Sequence, residues 1–154
     1  MSAGGQNAEQ ITRVILVAQF AATWAMVGII WFVQAVHYRL FEMVGAEGFE
    51  AYHQKHTNLT TWIVGPPMLV ELFAALSLLW FPPADVPRFA VWVGILLVGI
   101  LWISTAVVQV PLHSRLASGF QASASRKLCA TNWLRTMVWS LRGGLVVWMV
   151  WKAG

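Results

Sequence analysis

The run ITRVILVAQFAATWAMVGIIWFVQAV, Ile11–Val36, decides the fold class. It is almost wholly apolar, and about 20 apolar residues in a helix suffice to cross the roughly 30 Å hydrocarbon core of a bilayer. The whole chain agrees with this run, because 58% of its 154 residues are hydrophobic and only 10% are charged. A soluble domain typically carries about a quarter charged residues. We therefore predict an integral membrane protein whose first partner is the lipid bilayer.

Three further apolar runs of similar length follow at about 59–80, 89–112 and 131–151. With the first run at about 11–36, they predict a single domain over residues 1–154, an all-α, integral membrane four-helix bundle. The second run contains Pro66 and Pro67. Because proline removes a backbone donor and clashes with the preceding turn, we expect a kink or a break in this helix.

The basic residues lie at the ends of the apolar runs and not in one patch. Ten Lys and Arg against six Asp and Glu give a net charge of +4, but no basic and aromatic surface is indicated, so we expect no nucleic-acid partner. Beside the two connections lie Arg39, Lys55, Arg115, Arg126 and Lys127, and beside the termini lie Arg13, Arg88 and Lys152. The positive-inside rule then predicts cytoplasmic connections, external termini and a multi-pass protein of the bacterial inner membrane.

All four histidines fall at the membrane face that the two connections share. His53 and His56 are about one helical turn apart, while His37 and His113 end the first and third runs. Imidazole binds Zn, Cu, Fe and haem iron well, so we predict a transition metal (Fe, Cu or Zn) or haem with these four residues as ligands. Two alternatives stay open: a hydrogen-bonded, proton-handling site without metal, and ordinary interfacial histidines.

The two halves of the chain are similar around these histidines. The tetrapeptide HYRL at 37–40 recurs as HSRL at 113–116, an offset of 76 residues. The same offset relates two further pairs, His53 with Cys129 and His56 with Asn132. A tandem two-helix repeat is one interpretation, and chance similarity is the other. By its alignment and its position at the same face, Asn132 joins His37 and His113 as a predicted cofactor-binding residue.

Two charges lie deep in apolar sequence. Glu71 comes about twelve residues into the second run, and Arg142 about eleven into the fourth. Since an unpaired charge in hydrocarbon is costly, equal depth predicts an ion pair, which either fixes helix register or makes Glu71 a proton relay. Arg135 suits a carboxylate, phosphate or enolate oxygen, unless it extends to lipid headgroups. We therefore predict Glu71, Arg135 and Arg142 as catalytic residues.

The segments PLHSRL, 111–116, and NWLRTMVWSLRG, 132–143, resemble the anthrone-oxygenase-like family of small four-span membrane proteins. That family's pattern is a proline, a small apolar residue, Asn, two residues, Leu, and then Trp and Arg. The matching positions are Pro111, Leu116 and either Trp133 with Arg135 or Trp139 with Arg142. His113 stands where the family usually has Asn. The resemblance implies a four-span bundle and cofactor-independent oxidation of a phenolic anthrone, while the additional histidines indicate different chemistry.

These features together predict a membrane oxidoreductase or oxygenase that acts on a lipophilic small molecule. We expect an interfacial polar cavity that opens toward the two longer connections, 38–58 and 113–130. Two other classes are open. The first is a non-enzymatic subunit of a membrane complex, and the second is a small transporter that works as a homo-oligomer around a midplane site at Glu71.

Overall fold

The computed structural model describes residues 3–154, with side chains from Gly5 onward, and this part of the chain is helical without strands. Four long helices form it: α1 (Ala3–Phe32), α2 (Ala46–Ser77), α3 (Arg88–Ser104) and α4 (Ala122–Ala153). Beyond α1 follow a π-helical segment, a single α-helical turn and a 3-10 turn: Val33–His37, Tyr38–Leu40 and Phe41–Met43. Beyond α3 follow a π-helical segment and a short helix: Thr105–Gln109 and Val110–Leu116. The predicted all-α helical bundle is confirmed.

Each long helix packs against two others, so the bundle closes as a ring in chain order, with α1 against α2 and α4, and α3 against α2 and α4. Short connections force successive helices to run antiparallel. The predicted connections between spans, 38–58 and 113–130, are largely helical, because α2 begins at Ala46 and α4 at Ala122. The glycine before α2, Gly45, turns the chain with a φ of 78°, a conformation that residues with a Cβ rarely adopt.

Buried apolar side chains fill the bundle in three layers. The layer near the histidines contains Val33, Tyr38, Phe41, Phe49, Leu112, Leu116, Ala124 and Leu128. The central layer contains Met26, Val27, Ile30, Met68, Leu101, Val138 and Trp139. The layer at the opposite end contains Leu16, Leu78, Val86, Ala90, Val91 and Met149. One continuous stack of core layers fits the single domain that the sequence predicts.

Helix α2 runs without interruption through Pro66 and Pro67, so the expected break is wrong. Val64 and Met68, on either side of the prolines, both pack in the central core layer. Each proline costs a backbone hydrogen bond. Packing of both flanking turns against the same layer holds the helix on its path despite that cost.

Three of the helical segments are long and apolar enough to cross a membrane: Gly5–Met43, Ala46–Ser77 and Arg88–Leu116. They indicate a membrane protein. The surface supports this, because large apolar side chains such as Trp62, at 80% exposure, point away from the core. Helix α4 is less apolar because it carries several polar and basic residues, Arg126, Lys127, Asn132, Arg135 and Arg142.

Candidate functional site

The four histidines meet at one end of the bundle as two hydrogen-bonded pairs. His37 Nε2 lies 2.9 Å from His56 Nδ1, and His53 Nε2 lies 3.1 Å from His113 Nδ1. The rings of His56 and His113 are 5.9 Å apart, so the two pairs are neighbours. Three helical segments contribute these side chains, which confirms that the histidines converge from separate parts of the sequence.

Two π-helical segments lead into this cluster. Val33–His37 ends on His37 itself, and Thr105–Gln109 lies one turn before His113. Each segment also carries a buried glutamine, Gln34 or Gln109. π-helical turns are rare and occur frequently at functional sites, where the wider turn re-aims a side chain. Sequence reasoning missed both segments, although the matching glutamines ahead of the histidines were a visible signal.

Aromatic rings hold the imidazoles in place. Phe41 is 1% exposed and presents itself edge-on to three of them, at centroid distances of 5.3 Å to His37, 5.9 Å to His53 and 5.4 Å to His56. Phe49 stacks on His53 at 5.6 Å. Such packing costs an imidazole its rotational freedom, so the cluster is pre-organised before any ligand binds.

Tyr38 extends one histidine pair into a chain of three groups. Its hydroxyl lies 3.1 Å from His113 Nε2, and His113 Nδ1 contacts His53. If Tyr38 donates, His113 donates in turn to His53, and a proton can pass along the chain as each imidazole changes tautomer. The far end, His53 Nδ1, is buried and has no hydrogen-bond partner among the described residues. Sequence reasoning missed Tyr38, although it stands next to His37.

A cavity of about 560 Å³ lies beneath the histidines, between α2 and the α3 side of the bundle. Its polar wall consists of Tyr38, His53, His56, Thr57, Thr60, Thr61, Thr105, Gln109, His113, Ser114 and Arg135. Its apolar wall includes Met26, Ile30, Val33, Val64, Met68, Leu69, Trp102 and Val110. The volume falls in the range of small-molecule sites, about 300–1,000 Å³. The cavity is deeper and more apolar than the interfacial polar cavity that the sequence predicts.

Arg135 is the predicted catalytic residue that lines this cavity. Its Nη1 donates to Asn132 Oδ1 at 3.1 Å, and its guanidinium lies over the Trp139 ring at 5.0 Å. Asn132 is fully buried and donates from Nδ2 to Gln34 Oε1 at 2.9 Å. Asn132 does not line the cavity, and its side chain connects Gln34 to Arg135; cofactor binding by Asn132 stays a prediction.

Glu71 and Arg142 form the predicted ion pair, with Arg142 Nε 2.9 Å from Glu71 Oε1. The carboxylate also accepts hydrogen bonds from Thr23 Oγ1 at 2.7 Å and Trp139 Nε1 at 2.9 Å, and Arg142 Nη1 donates to the Gly94 carbonyl at 2.8 Å. Neither charged residue lines the cavity. The pair thus lies outside the cavity wall, and Trp139 connects it to Arg135, because the Trp139 ring lies under the Arg135 guanidinium while its Nε1 donates to Glu71.

A metal centre is not pre-formed. Among the described residues, no group of three or more His, Cys, Asp or Glu side chains is arranged to hold a metal ion. The imidazoles are instead directed at one another in pairs. Cys129 contacts Gln34, whose Nε2 lies 3.6 Å from its sulfur. Metal or haem ligation by His37, His53, His56 and His113 therefore stays a prediction.

Comparison of the chain with known protein families, with characterised proteins and with solved structures gives no match. The site must accordingly be interpreted from its own residues.

Proposed function

We propose that this protein is a membrane oxidoreductase or oxygenase that acts on a lipophilic small molecule. One observation carries the proposal: an apolar cavity of about 560 Å³ has three imidazoles, a phenol and a guanidinium in its wall. Apolar pockets with a few convergent polar groups are the usual form of a small-molecule site. A purely structural subunit has no need of such a cavity.

The imidazoles of His53, His56 and His113 place proton-donating and proton-accepting nitrogens in the cavity wall. Deprotonation of a phenolic or enolisable substrate makes it electron-rich and therefore open to oxidation by dioxygen. In the overall reaction a CH2 group and O2 give a C=O group and one water. Arg135, in the same wall, would stabilise the enolate or phenolate oxygen while the negative charge develops.

Anthrone oxidation in proteoliposomes tests this proposal, with anthraquinone formation and oxygen consumption as readouts. The wild-type protein should accelerate the reaction over empty liposomes, and His113→Ala should remove the acceleration. Gly65→Phe should do so as well, because Gly65 lines the cavity and a Cβ there meets no atom within 4 Å, so the new ring can fill the space.

Gly28→Phe is the matched control. Gly28 is exposed on α1, does not line the cavity, and a Cβ added there also meets no atom within 4 Å. This variant should keep the wild-type rate. If the wild-type rate equals that of empty liposomes, the proposed reaction is wrong for this substrate class.

A second candidate adds a transition metal or haem iron held by the histidines. The meeting of four imidazoles at one end of the bundle supports it, because imidazole nitrogens bind Zn, Cu and Fe well. Elemental analysis and a UV-visible spectrum of the purified protein test this candidate. A stoichiometric metal or haem band should vanish when all four histidines are replaced by alanine, and its absence in freshly prepared wild type would contradict it.

The rival classes make different predictions. A transporter would have to use Glu71 at the midplane, but Glu71 is saturated with hydrogen bonds inside the core and α2 is unbroken. A subunit of a complex would co-purify with a fixed partner.

We also propose that α4 crosses the membrane with the other three helices, with both termini external in a bacterial inner membrane. Reporter fusions at each terminus and in the 78–87 connection measure that orientation.

A further inference from the structure

We infer that this cavity binds a single-tailed lipophilic anion, which enters from the bilayer between α2 and the α3 side and places its charged head at Arg135. The inference goes beyond the proposed function, because it names a ligand of the same cavity and not the compound that is oxidised there. Three observations carry it: an uncompensated buried cation, an apolar wall and an opening along the side of the bundle.

The buried cation comes first. Arg135 is 7% exposed and lies in the cavity wall. Among the described residues the one ion pair within 4.0 Å is between Glu71 and Arg142, so no carboxylate neutralises Arg135. Its Nε is buried without a hydrogen-bond partner in the described part of the chain. A buried charge is costly unless it is paired, so an anionic ligand supplies what the protein itself omits.

The protein also fixes the direction of this guanidinium. Asn132 accepts from Nη1, Gln34 fixes Asn132, and the Trp139 ring covers one face of the group. Guanidinium edges bind carboxylate and phosphate oxygens with paired hydrogen bonds, whereas a neutral alcohol offers one weaker acceptor. The fixed guanidinium of Arg135 therefore favours a negatively charged head group over a neutral one.

The apolar wall specifies the tail. Lining residues on α2 extend from His53 to Leu69, a rise of about 24 Å at 1.5 Å per residue, and the last third of this length, from Val64, is apolar. Met26 on α1 and Trp102 on α3 belong to the same apolar part of the wall. This apolar part suits a hydrocarbon or isoprenoid chain.

The opening lies on the side of the bundle. Several lining residues are also exposed on its outer surface, namely Thr61 and Leu69 on α2 and Val110, Ser114 and Ala117 beyond α3. All of these residues except Ala117 belong to two of the segments that are apolar enough to cross a membrane. An opening on such a face leads into the hydrocarbon region, where single-tailed amphiphiles are dissolved, so the ligand need not cross water.

Equilibrium binding to the full-length protein in nanodiscs tests the inference. The fluorescent anion is cis-parinaric acid, and the neutral control is the alcohol with the same hydrocarbon chain. Energy transfer from tryptophan to the probe reports binding, with empty nanodiscs as the blank. Wild-type protein should bind the acid about 10- to 100-fold more tightly than the alcohol. Arg135→Gln should abolish that preference and leave alcohol binding unchanged, and Arg135→Lys should keep part of it.

Arg115→Gln is the matched control, because Arg115 is exposed at the same end of the bundle and lies outside the cavity wall. Gly65→Phe should weaken acid and alcohol alike. An alkyl phosphate that displaces the probe better than a fatty acid would identify the head as phosphate, and the reverse order would identify a carboxylate.

Two results would overturn the inference, and they are distinguishable. Equal binding of acid and alcohol by the wild type refutes the anion site but leaves the lipophilic cavity and the proposed function standing. Binding of neither probe refutes the inference, and the anthrone assay then decides separately whether the proposed function fails too. Because the comparison of acid with alcohol is made in wild-type protein, the outcome does not depend on how any variant folds.

Discussion

Replacement of Glu71 by glutamine should destabilise the bundle strongly, because it leaves the charge of Arg142 buried without a partner. Arg142 is 0% exposed, and its Nε donates to the Glu71 carboxylate at 2.9 Å. Removing one partner of a buried ion pair costs about 3–5 kcal/mol. Thr23 donates to Oε1 and Trp139 to Oε2, so the single glutamine oxygen can keep only one of these two hydrogen bonds, and the loss of the other adds to the electrostatic cost. Such a loss is a large share of a typical free energy of unfolding, about 5–15 kcal/mol.

The companion change Arg142→Met should cost a similar amount, because it strands the carboxylate. The double variant E71Q/R142M should cost about 1–2 kcal/mol, less than either single change, because no unpaired charge then remains in the core. Glu47→Gln, an exposed glutamate in the first turn of α2, serves as the control and should change stability by no more than about 0.5 kcal/mol.

Unfolding in mixed micelles with a rising fraction of sodium dodecyl sulfate, followed by circular dichroism, measures these free energies. The reasoning is refuted if each single change costs less than about 1 kcal/mol, or if the two costs simply add in the double variant. A stable Glu71→Gln protein that had lost anthrone oxidation would restore the proton-relay interpretation in place of the structural one.

Three further changes test the site around the histidines. Phe41→Ala should lower the unfolding free energy by about 3–5 kcal/mol, since this buried ring fills the space between three imidazoles; a loss below about 1 kcal/mol would contradict that packing. Asn132→Leu should weaken binding of the anionic probe several-fold while sparing the alcohol, because the Arg135 guanidinium loses the group that directs it. Tyr38→Phe should cost about 0.5–1.5 kcal/mol for the lost hydrogen bond to His113 and should slow anthrone oxidation; an unchanged rate would remove Tyr38 from the proton chain.

Periodicity and burial arguments recover the fold well, because a membrane helix is specified by length and apolar content alone. They also recover the Glu71–Arg142 pair, since two buried charges at equal depth have few other partners. The same reasoning places the four histidines at one end of the bundle without any knowledge of their contacts. These predictions depend only on how far along a helix axis each residue lies, and that position follows directly from its residue number.

The sequence does not show how each helix is rotated about its own axis, and therefore not which side chains line the cavity. Asn132 and Arg135 share a helix face, yet one holds the other and only Arg135 lines the cavity. Helix α2 begins at Ala46, well before the apolar run at about 59–80, because polar residues can continue a helix beyond its apolar part, and apolar content alone does not show where it begins. The cavity itself arises where α2 and the α3 side fail to fill the space between them, a property of packing that no single segment encodes.

The two π-helical segments, Val33–His37 and Thr105–Gln109, each hold one residue more than the regular helix would use. Deletion of a single residue from such a segment would restore ordinary winding and change the direction of the side chains within the wide turn. Loss of Ala35 would therefore carry His37 away from His56 while leaving the apolar length of the helix nearly intact. The histidine cluster thus depends on a one-residue surplus in each of two helices, and a relative without that surplus could share the bundle and lack the site.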